Sequence, residues 1–368
     1  MFILWIKIIL KNLKLEVNLI TFLGFNNMFT HKRGVENVIH FQSQASPFRV
    51  NYYLNWDVQT RVYRYENLIC IGIKKDVLWF ARLNVILFRL KIKNRKIFIH
   101  SHNPLMSIAS IYQSNLFTVH DALYYLTSSK NHKLKNVFWF LEKILYLRCR
   151  YVHFISNYSK EMSLYNGKNK NFIIPNTSHF EKFIMSQVSF NSNVKTFSNG
   201  VIKVFTVRSI EERALINLII EVADKLKSSE IEFLIAGKGP LLDFYREKIK
   251  ERGLENIILL GYVSDNDLMT YYNCCDVVLL PAAYGEGFGL PIIEGYLFDK
   301  PVISSNVCAI PDVIITNEFL FENNIGSIIS KLNFALRQKQ IKYREYYNKW
   351  FSNKIVMSQM NDLYKKLF

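Results

Sequence analysis

Cysteine is scarce in this chain, with five in 368 residues: Cys70, Cys149, Cys274, Cys275 and Cys308. None stands in a CxxC, their number is odd and two are adjacent, which argues against both a disulfide framework and a zinc site. They read as small buried apolar residues of a protein kept in a reducing compartment. A long uninterrupted apolar run is missing as well. The opening stretch, MFILWIKIILKNLKLEVNLITFLGF, is broken by Lys7, Lys11, Lys14 and Glu16. A spanning helix wants about 20 predominantly apolar residues, and no small-residue cleavage site follows. Residues 1–14 therefore read as a short amphipathic lead-in or as a stretch ahead of the native start. The pairing of low hydrophobicity with high charge that marks disorder is absent too, since half the residues are apolar and 15% are aromatic. Acidic residues are few in one half only. Residues 1–180 hold 25 Lys+Arg against 8 Asp+Glu, whereas residues 181–368 hold 22 of each, so the first half carries the entire net charge of +17. Such asymmetry points one domain at an anionic partner: nucleic acid, phospholipid headgroups or a phosphorylated acceptor.

What is present is an alternation of short apolar strands and helices over a length that suits two domains. In the first half the strands are read at 16–24, 68–73, 96–100, 116–120, 151–155 and 171–174. In the second they are read at 201–207, 231–236, 257–260, 276–281 and 301–304, with helices at 211–227, 241–252, 265–273 and 291–298. Nearly continuous apolar strands separated by helices predict parallel sheets covered on both faces. A Ser/Asn/Gly-rich stretch at 186–200 reads as the linker. The expectation is an α/β protein of two Rossmann-like, doubly wound domains facing a cleft that takes the ligand. Their expected bounds are 1–190 and 191–345, followed by a C-terminal segment 346–368. Amphipathic aromatic stretches at 78–90 and 137–148 read as core-facing helices or as attachment to an anionic membrane.

The strongest local feature follows the strand 276–281. Its loop is Gly285-Glu286-Gly287-Phe288-Gly289-Leu290, and Pro291 opens a helix that carries Glu294 in its first turn. Glycines allow close approach of backbone to a ligand, and free amides at a helix start favour phosphate. Two carboxylates beside an anion site make sense only if they serve hydroxyls, as a nucleotide sugar would require. Arg208 ends the strand 201–207 and Arg213 follows five residues later; two guanidinium groups would offset a diphosphate and stabilise it as a leaving group. Alternatively Arg213 pairs with Glu211, Glu212 or Glu221 on a helix face. Asp265-Asn266-Asp267 is formally a D-x-D, but Ser264 before it reads as a helix cap.

The E-x7-E spacing of Glu286 and Glu294, within GEGFGLPIIEG and followed by KPVISSN, resembles the donor-site signature of family 4 glycosyltransferases, retaining enzymes of the GT-B fold. The resemblance covers roughly residues 201–315. It implies that Glu286 faces the sugar hydroxyls, that Gly287, Phe288, Gly289 and Leu290 meet the donor through their backbone, and that Glu294 binds the ribose. Gly237-Lys238-Gly239-Pro240 resembles the family's G-x-G-P turn, with Lys238 a candidate phosphate ligand, and Gly261-Tyr262-Val263 resembles the segment along the nucleobase. Val207 stands where the family has glycine, and Arg213 where it has lysine. Upstream, His120-Asp121 ends a strand where the family often has a histidine close to the transferred sugar, which implies that His120 hydrogen-bonds the donor sugar or helps orient the acceptor; a satisfied structural histidine is the alternative. His102 and Asn103 are weaker acceptor-side candidates. Arg33-Gly34-Val35-Glu36 resembles the Gly-Gly-x-E loop with one glycine replaced, and Asn176-Thr177 a Pro-Asn-Gly turn. The segment 350–368 resembles the family's last helix, which crosses back to the first domain.

The expected activity is transfer of a sugar, with retention and without a metal or other cofactor, from a nucleotide-diphosphate donor to a saccharide or lipid-diphosphate-linked acceptor. The expected setting is bacterial surface-polysaccharide assembly, O-antigen or capsule, in the cytoplasm or peripherally at the anionic inner face of the inner membrane, with no nucleic-acid partner. Two other classes stay open: a nucleotide-sugar epimerase or hydrolase on the same fold, and a non-catalytic polyanion binder.

Overall fold

The computed structural model describes residues 18–30, 34–94, 96–121, 133–185 and 200–368. Residues 1–14, Arg33 and nearly all of the linker stretch 186–200 lie outside them. The chain divides into two compact units, residues 1–175 with 356–368, and residues 176–355. The division at Pro175/Asn176 falls ahead of the Ser/Asn-rich stretch because the segment after it is tied into the second unit. The Thr177 hydroxyl donates to Asn353 Oδ1 at 2.7 Å, and the Tyr347 hydroxyl donates to Glu181 at 2.8 Å.

The first unit contains one sheet built from β1 (Asn18–Leu23), β2 (Asn51–Asp57), β3 (Arg61–Tyr65), β4 (Leu68–Lys74), β5 (Lys96–Ser101), β6 (Ser114–Val119), β7 (Cys149–Phe154) and β8 (Lys170–Ile173). Their order is β3-β4-β2-β1-β5-β6-β7-β8, parallel throughout except that β3 runs antiparallel to β4. β2 and β3 were not read in the sequence, for a physical reason. β2 (NYYLNWD) buries Asn51 and Asn55, whose polarity hides a core strand. Both are satisfied: Asn51 Oδ1 accepts from Ser46, and Asn55 Oδ1 accepts from Tyr63. β3 is an edge strand with two of its five residues exposed and none buried.

The helix Trp79–Lys93 buries Leu83, Ile86, Leu87 and Leu90 against β1, β2, β4 and β5. That spacing is one face of a 3.6-residue period. The C-terminal helix Asn353–Leu367 sends Val356, Met360, Leu363 and Tyr364 into the first unit's core with Ile20, Phe22, Tyr53 and Phe98. A buried polar chain joins it to three strands. Tyr364 Oη meets His100 Nδ1 at 2.8 Å, His100 Nε2 meets Thr118 at 2.7 Å, Thr118 meets His153 Nδ1 at 2.9 Å, and His153 Nε2 donates to Ile174 O at 2.9 Å.

The second unit is a sheet of β9 (Ile202–Val207), β10 (Ile231–Ala236), β11 (Ile257–Gly261), β12 (Val277–Leu280), β13 (Val302–Ser305) and β14 (Leu320–Phe321). The order is β11-β10-β9-β12-β13-β14, all parallel. Counted within the unit this is 3-2-1-4-5-6, the doubly wound dinucleotide-binding order. It reverses direction between β9 and β12, and the carboxyl ends of these two strands leave a crevice there. The five strands read in the sequence are all present; only the two-residue β14 was missed.

Candidate active site

The residues of interest in the second unit all lie immediately beyond the carboxyl ends of four neighbouring strands. Arg208 follows β9, Gly237-Lys238 follows β10, Tyr262-Val263 follows β11, and the glycine-rich loop follows β12. The switch between β9 and β12 brings Arg208 and Glu286 together. Arg208 Nη2 donates to Glu286 Oε2 at 2.9 Å, with the two side chains only 5% and 18% exposed. The other guanidinium nitrogen donates to Pro281 O. Burial pulls the Arg208 pKa below its ordinary value, Glu286 opposes this, and neighbouring Arg213 adds to it. An arginine remains charged under these conditions, so a positive centre is fixed at the crevice floor with one carboxylate against it.

Arg213 sits on a short 3-10 turn, Glu212–Ala214, closed by Leu215 in the left-handed conformation. Its Nη1 donates to Gly285 O at 2.6 Å and its Nε to Glu211 at 3.4 Å. The ion pair weighed in the sequence is therefore present with Glu211, and in addition Arg213 grips the glycine loop by its backbone. In that loop Gly285 (φ 68°) and Gly289 (φ 86°) are left-handed, a conformation that favours glycine. Between them Phe288 is buried and meets Phe351 edge-on at 6.0 Å. The loop is held from below as well, for Ala309 N donates to Glu286 O at 3.1 Å. The helix Leu290–Leu297 starts from Gly289 with no side-chain cap and with Pro291 in its first turn. No side chain from the cap position therefore competes at this helix start; Pro291 carries no N–H, and Ile292 N donates to Gly289 O at 2.9 Å.

Glu294 is buried one turn in, and Tyr272 Oη donates to its Oε2 at 2.7 Å. Burial raises its carboxyl pKa, opposed by His179 and the Tyr272 hydrogen bond; Asp265 adds to the rise. His179 Nε2 itself meets Asp265 at 3.0 Å. Neither Tyr272 nor His179 was singled out in the sequence. The Glu294–Tyr272 contact joins two helices, and no local spacing announces it.

Gly237 (φ 149°) is required by contact: a Cβ there would lie 1.7 Å from Arg208 O. Gly239 is crowded in the same way by Ile210 backbone, with 2.1 Å to its oxygen. The G-x-G-P turn is thus a device for laying β10's loop directly on β9's loop, with Ile210 N donating to Lys238 O at 2.9 Å. Lys238 Nζ stands 4.5 Å from the Tyr262 ring centroid, a cation–π pair on the surface. Val263 is half-buried beside it. Ser264 Oγ accepts from Asp267 N at 3.3 Å and caps the helix Asp265–Cys274, so the D-x-D serves a helix start.

In the first unit, His120 and His102 form a pair, His102 Nδ1 to His120 Nε2 at 2.9 Å. Burial draws His120 down to about 3, with His153 adding, and draws His102 well below its usual value. Both rings are neutral near pH 7, so one nitrogen of the contact donates and the other accepts. The pair lines a cavity of about 130 Å³ with Phe25, Thr118, Glu142 and Tyr146. His102 Nε2 is buried there without a hydrogen-bond partner. Asn103 is a structural residue: its Oδ1 caps the helix Pro104–Ala109 through Leu105 N and Met106 N, and its Nδ2 donates to Gly24 O. Glu36 Oε1 accepts from Asn26 N at 3.0 Å and shapes the loop after β1.

The second unit thus joins a doubly wound sheet to a glycine loop, a paired guanidinium and carboxylate and a helix start without a side-chain cap. Residues 188–353 match the family of glycosyl transferases group 1, and the second unit accordingly carries a group 1 glycosyltransferase domain. Among curated proteins, 152 residues are 24% identical to O-antigen chain mannosyltransferase C of Escherichia coli, over 39% of this chain and 41% of that one. This chain spans less than half the length of the first curated relatives it matches. In fold it is similar to sucrose-phosphate synthase of Thermosynechococcus elongatus, with a TM-score of 0.74 at 14% identity over 95% of this chain and 99% of that one. The Anabaena protein HepE, solved with UDP and glucose, gives a TM-score of 0.70 at 14% identity over 94% and 98%. The fold is the GT-B one expected from the sequence.

Proposed function

We propose that this chain transfers a glycosyl group, with retention, from a nucleoside-diphosphate sugar to a saccharide or lipid-linked saccharide in bacterial surface-polysaccharide assembly. The observation that carries the reading is the joining of Arg208 and Glu286 beneath the glycine loop at the strand-order switch. In this reading Glu286 and the amides from Gly287 to Leu290 hold the donor sugar and its phosphates. Glu294, oriented by Tyr272, takes the ribose hydroxyls, and the backbone of Gly237 and Val263 lines the nucleoside, with Lys238 at its edge. Arg208 and Arg213 supply the positive field that stabilises the departing diphosphate, the role of preorganised charge in transfer reactions. His120, kept neutral, offers a hydrogen bond to the transferred sugar. UDP and glucose in HepE support a nucleoside-diphosphate donor, and the O-antigen mannosyltransferase relation supports the polysaccharide setting.

The test is a panel of nucleoside-diphosphate sugars scored by the rise in melting temperature, followed by transfer with the sugar that binds. Glu286→Gln is expected to lower the transfer rate at least a hundredfold while the protein remains folded. The rate is expected to be unchanged by EDTA, since two guanidinium groups and a helix start already face the diphosphate. Retained transfer in Glu286→Gln removes the site assignment. Donor turnover at the same rate with and without acceptor selects the epimerase or hydrolase reading.

A further inference from the structure

The excess positive charge of residues 1–180 has not been used by the second-unit site. The stretch Val77–His120 contains no Asp or Glu, and between Lys133 and Lys170 the acidic residues are Glu142, which is buried, and Glu161. The same stretches carry large apolar side chains that the core does not take up: Phe80, Phe88, Ile111, Phe140 and Leu147, of which Leu147 is 71% and Ile111 54% exposed. Hydrogen bonds gather four of these around one turn. Asn84, on the helix Trp79–Lys93, donates to Ala109 O at 2.9 Å and accepts from Ile111 N at 2.6 Å. Phe80 and Phe88 stand one turn before and after Asn84, and so flank Ile111. From the other side Arg148, the residue after the helix Lys135–Leu147, donates to Ser110 O and so ties the end of that helix, where Leu147 stands, to the same turn.

Leu147 also borders a groove of about 700 Å³ that Trp139 and Lys143 line with it on one side, and Arg150, Lys168 and Lys170 on the other. Lys143 Nζ lies 3.9 Å from the Trp139 ring centroid. The surface therefore has an apolar crest and, sharing Leu147 with it, a basic trough.

We infer that this face of the first unit docks on an anionic lipid bilayer, with Phe80, Phe88, Ile111 and Leu147 entering the interface and the groove of Arg150, Lys168 and Lys170 taking lipid phosphates. The charge pattern selects that occupant: apolar insertion beside a field of unbalanced cations is what an anionic interface rewards, and Trp139 near the boundary suits the headgroup level. Among the described residues no helix is long and apolar enough to cross a membrane; the docking inferred is that of an exposed face on the interface. The inference gives a partner surface to the proposed transferase and rests on that reading for its biological sense, yet its measurement needs no activity.

The full chain is sedimented with vesicles of phosphatidylcholine alone and with 30% phosphatidylglycerol, at low and high salt. Binding is expected on the anionic vesicles only and is expected to weaken with salt. The pair Lys168→Glu/Lys170→Glu is expected to weaken it more than twentyfold, since each juxtamembrane cation counts for roughly fivefold. The pair Phe88→Gln/Leu147→Gln, at exposed positions, is expected to lower it at least tenfold with an unchanged melting temperature. A protein that stays in the supernatant with anionic vesicles at low salt overturns the inference. So does unchanged binding in both variants, or a dimer that Phe88→Gln/Leu147→Gln dissociates. Vesicle binding without sugar transfer would overturn the proposed function and leave the docking face standing; transfer to a soluble acceptor without vesicle binding would do the reverse.

Discussion

Replacing one or both members of the Arg208–Glu286 pair measures how the candidate site is held. The charges approach to 2.9 Å, with side chains 5% and 18% exposed. At an effective dielectric of about 20 the gross attraction at that distance is about 6 kcal/mol, and desolvation of both groups takes back a large part of it. A net coupling of about 2 kcal/mol is left. Glu286→Gln keeps the shape and a hydrogen-bond acceptor but strands a buried guanidinium, and is expected to cost about 2 kcal/mol. Arg208→Met also removes the bond to Pro281 O and is expected to cost about 3 kcal/mol. The double variant is then expected to lose about 3 kcal/mol rather than 5, because the second change removes a partner already without its charge. Urea-unfolding midpoints of the four proteins, followed by circular dichroism, give the coupling. Costs that add to within about 0.5 kcal/mol would refute the pairing. In the same set Arg208→Met is expected to lose the melting-temperature rise given by a nucleoside diphosphate.

Two further outcomes follow from other parts of the molecule. Gly237→Ala puts a Cβ 1.7 Å from Arg208 O on a backbone at φ 149°, and is expected to destabilise by about 2–5 kcal/mol, strain and overpacking together. Thermal unfolding reads it, and a variant as stable as the parent would show the two loops to be farther apart. His153 is buried and drawn down to about 4 chiefly by desolvation, with its hydrogen bond to Ile174 opposing, against about 6.5 in an unfolded chain. The unfolded state binds the extra proton, so stability is full above pH 6.5 and falls as pH drops toward 4. The loss from this group is about 2 kcal/mol at pH 5, at 1.36 kcal/mol per unit. Urea midpoints of the parent and of His153→Gln between pH 7 and 5 test it; equal slopes for the two proteins would remove His153 as the cause.

Much of the second unit was legible in the sequence. Its strands are short apolar runs, and its turns are marked by Gly237, Gly239, Gly285 and Gly289, which the backbone needs for close approach or left-handed φ. The E-x7-E spacing placed Glu286 and Glu294 at the same strand–loop–helix junction that the structure has. The first unit was less legible. β2 carries buried asparagines in place of aliphatic residues, and β3 is an exposed edge, so neither shows the pattern by which a core strand is recognised.

The sequence by itself determined the alternation of strands and helices, the glycine positions and the confinement of positive charge to one half, because periodicity, backbone freedom and composition are local properties. Only the tertiary structure decided which of these meet. Arg208 finds Glu286 across 78 residues because β12 is laid next to β9. Tyr272 finds Glu294 across two helices, and Tyr364 closes on His100 across 264 residues. Each of these contacts depends on strand order and helix docking, which are set by the burial of the whole sheet and not by the residues that touch. The loop GEGFGLPIIEG could be read as a binder of phosphate and hydroxyls from its residues, but its grip by Arg213 and its charge partner Arg208 came from the fold.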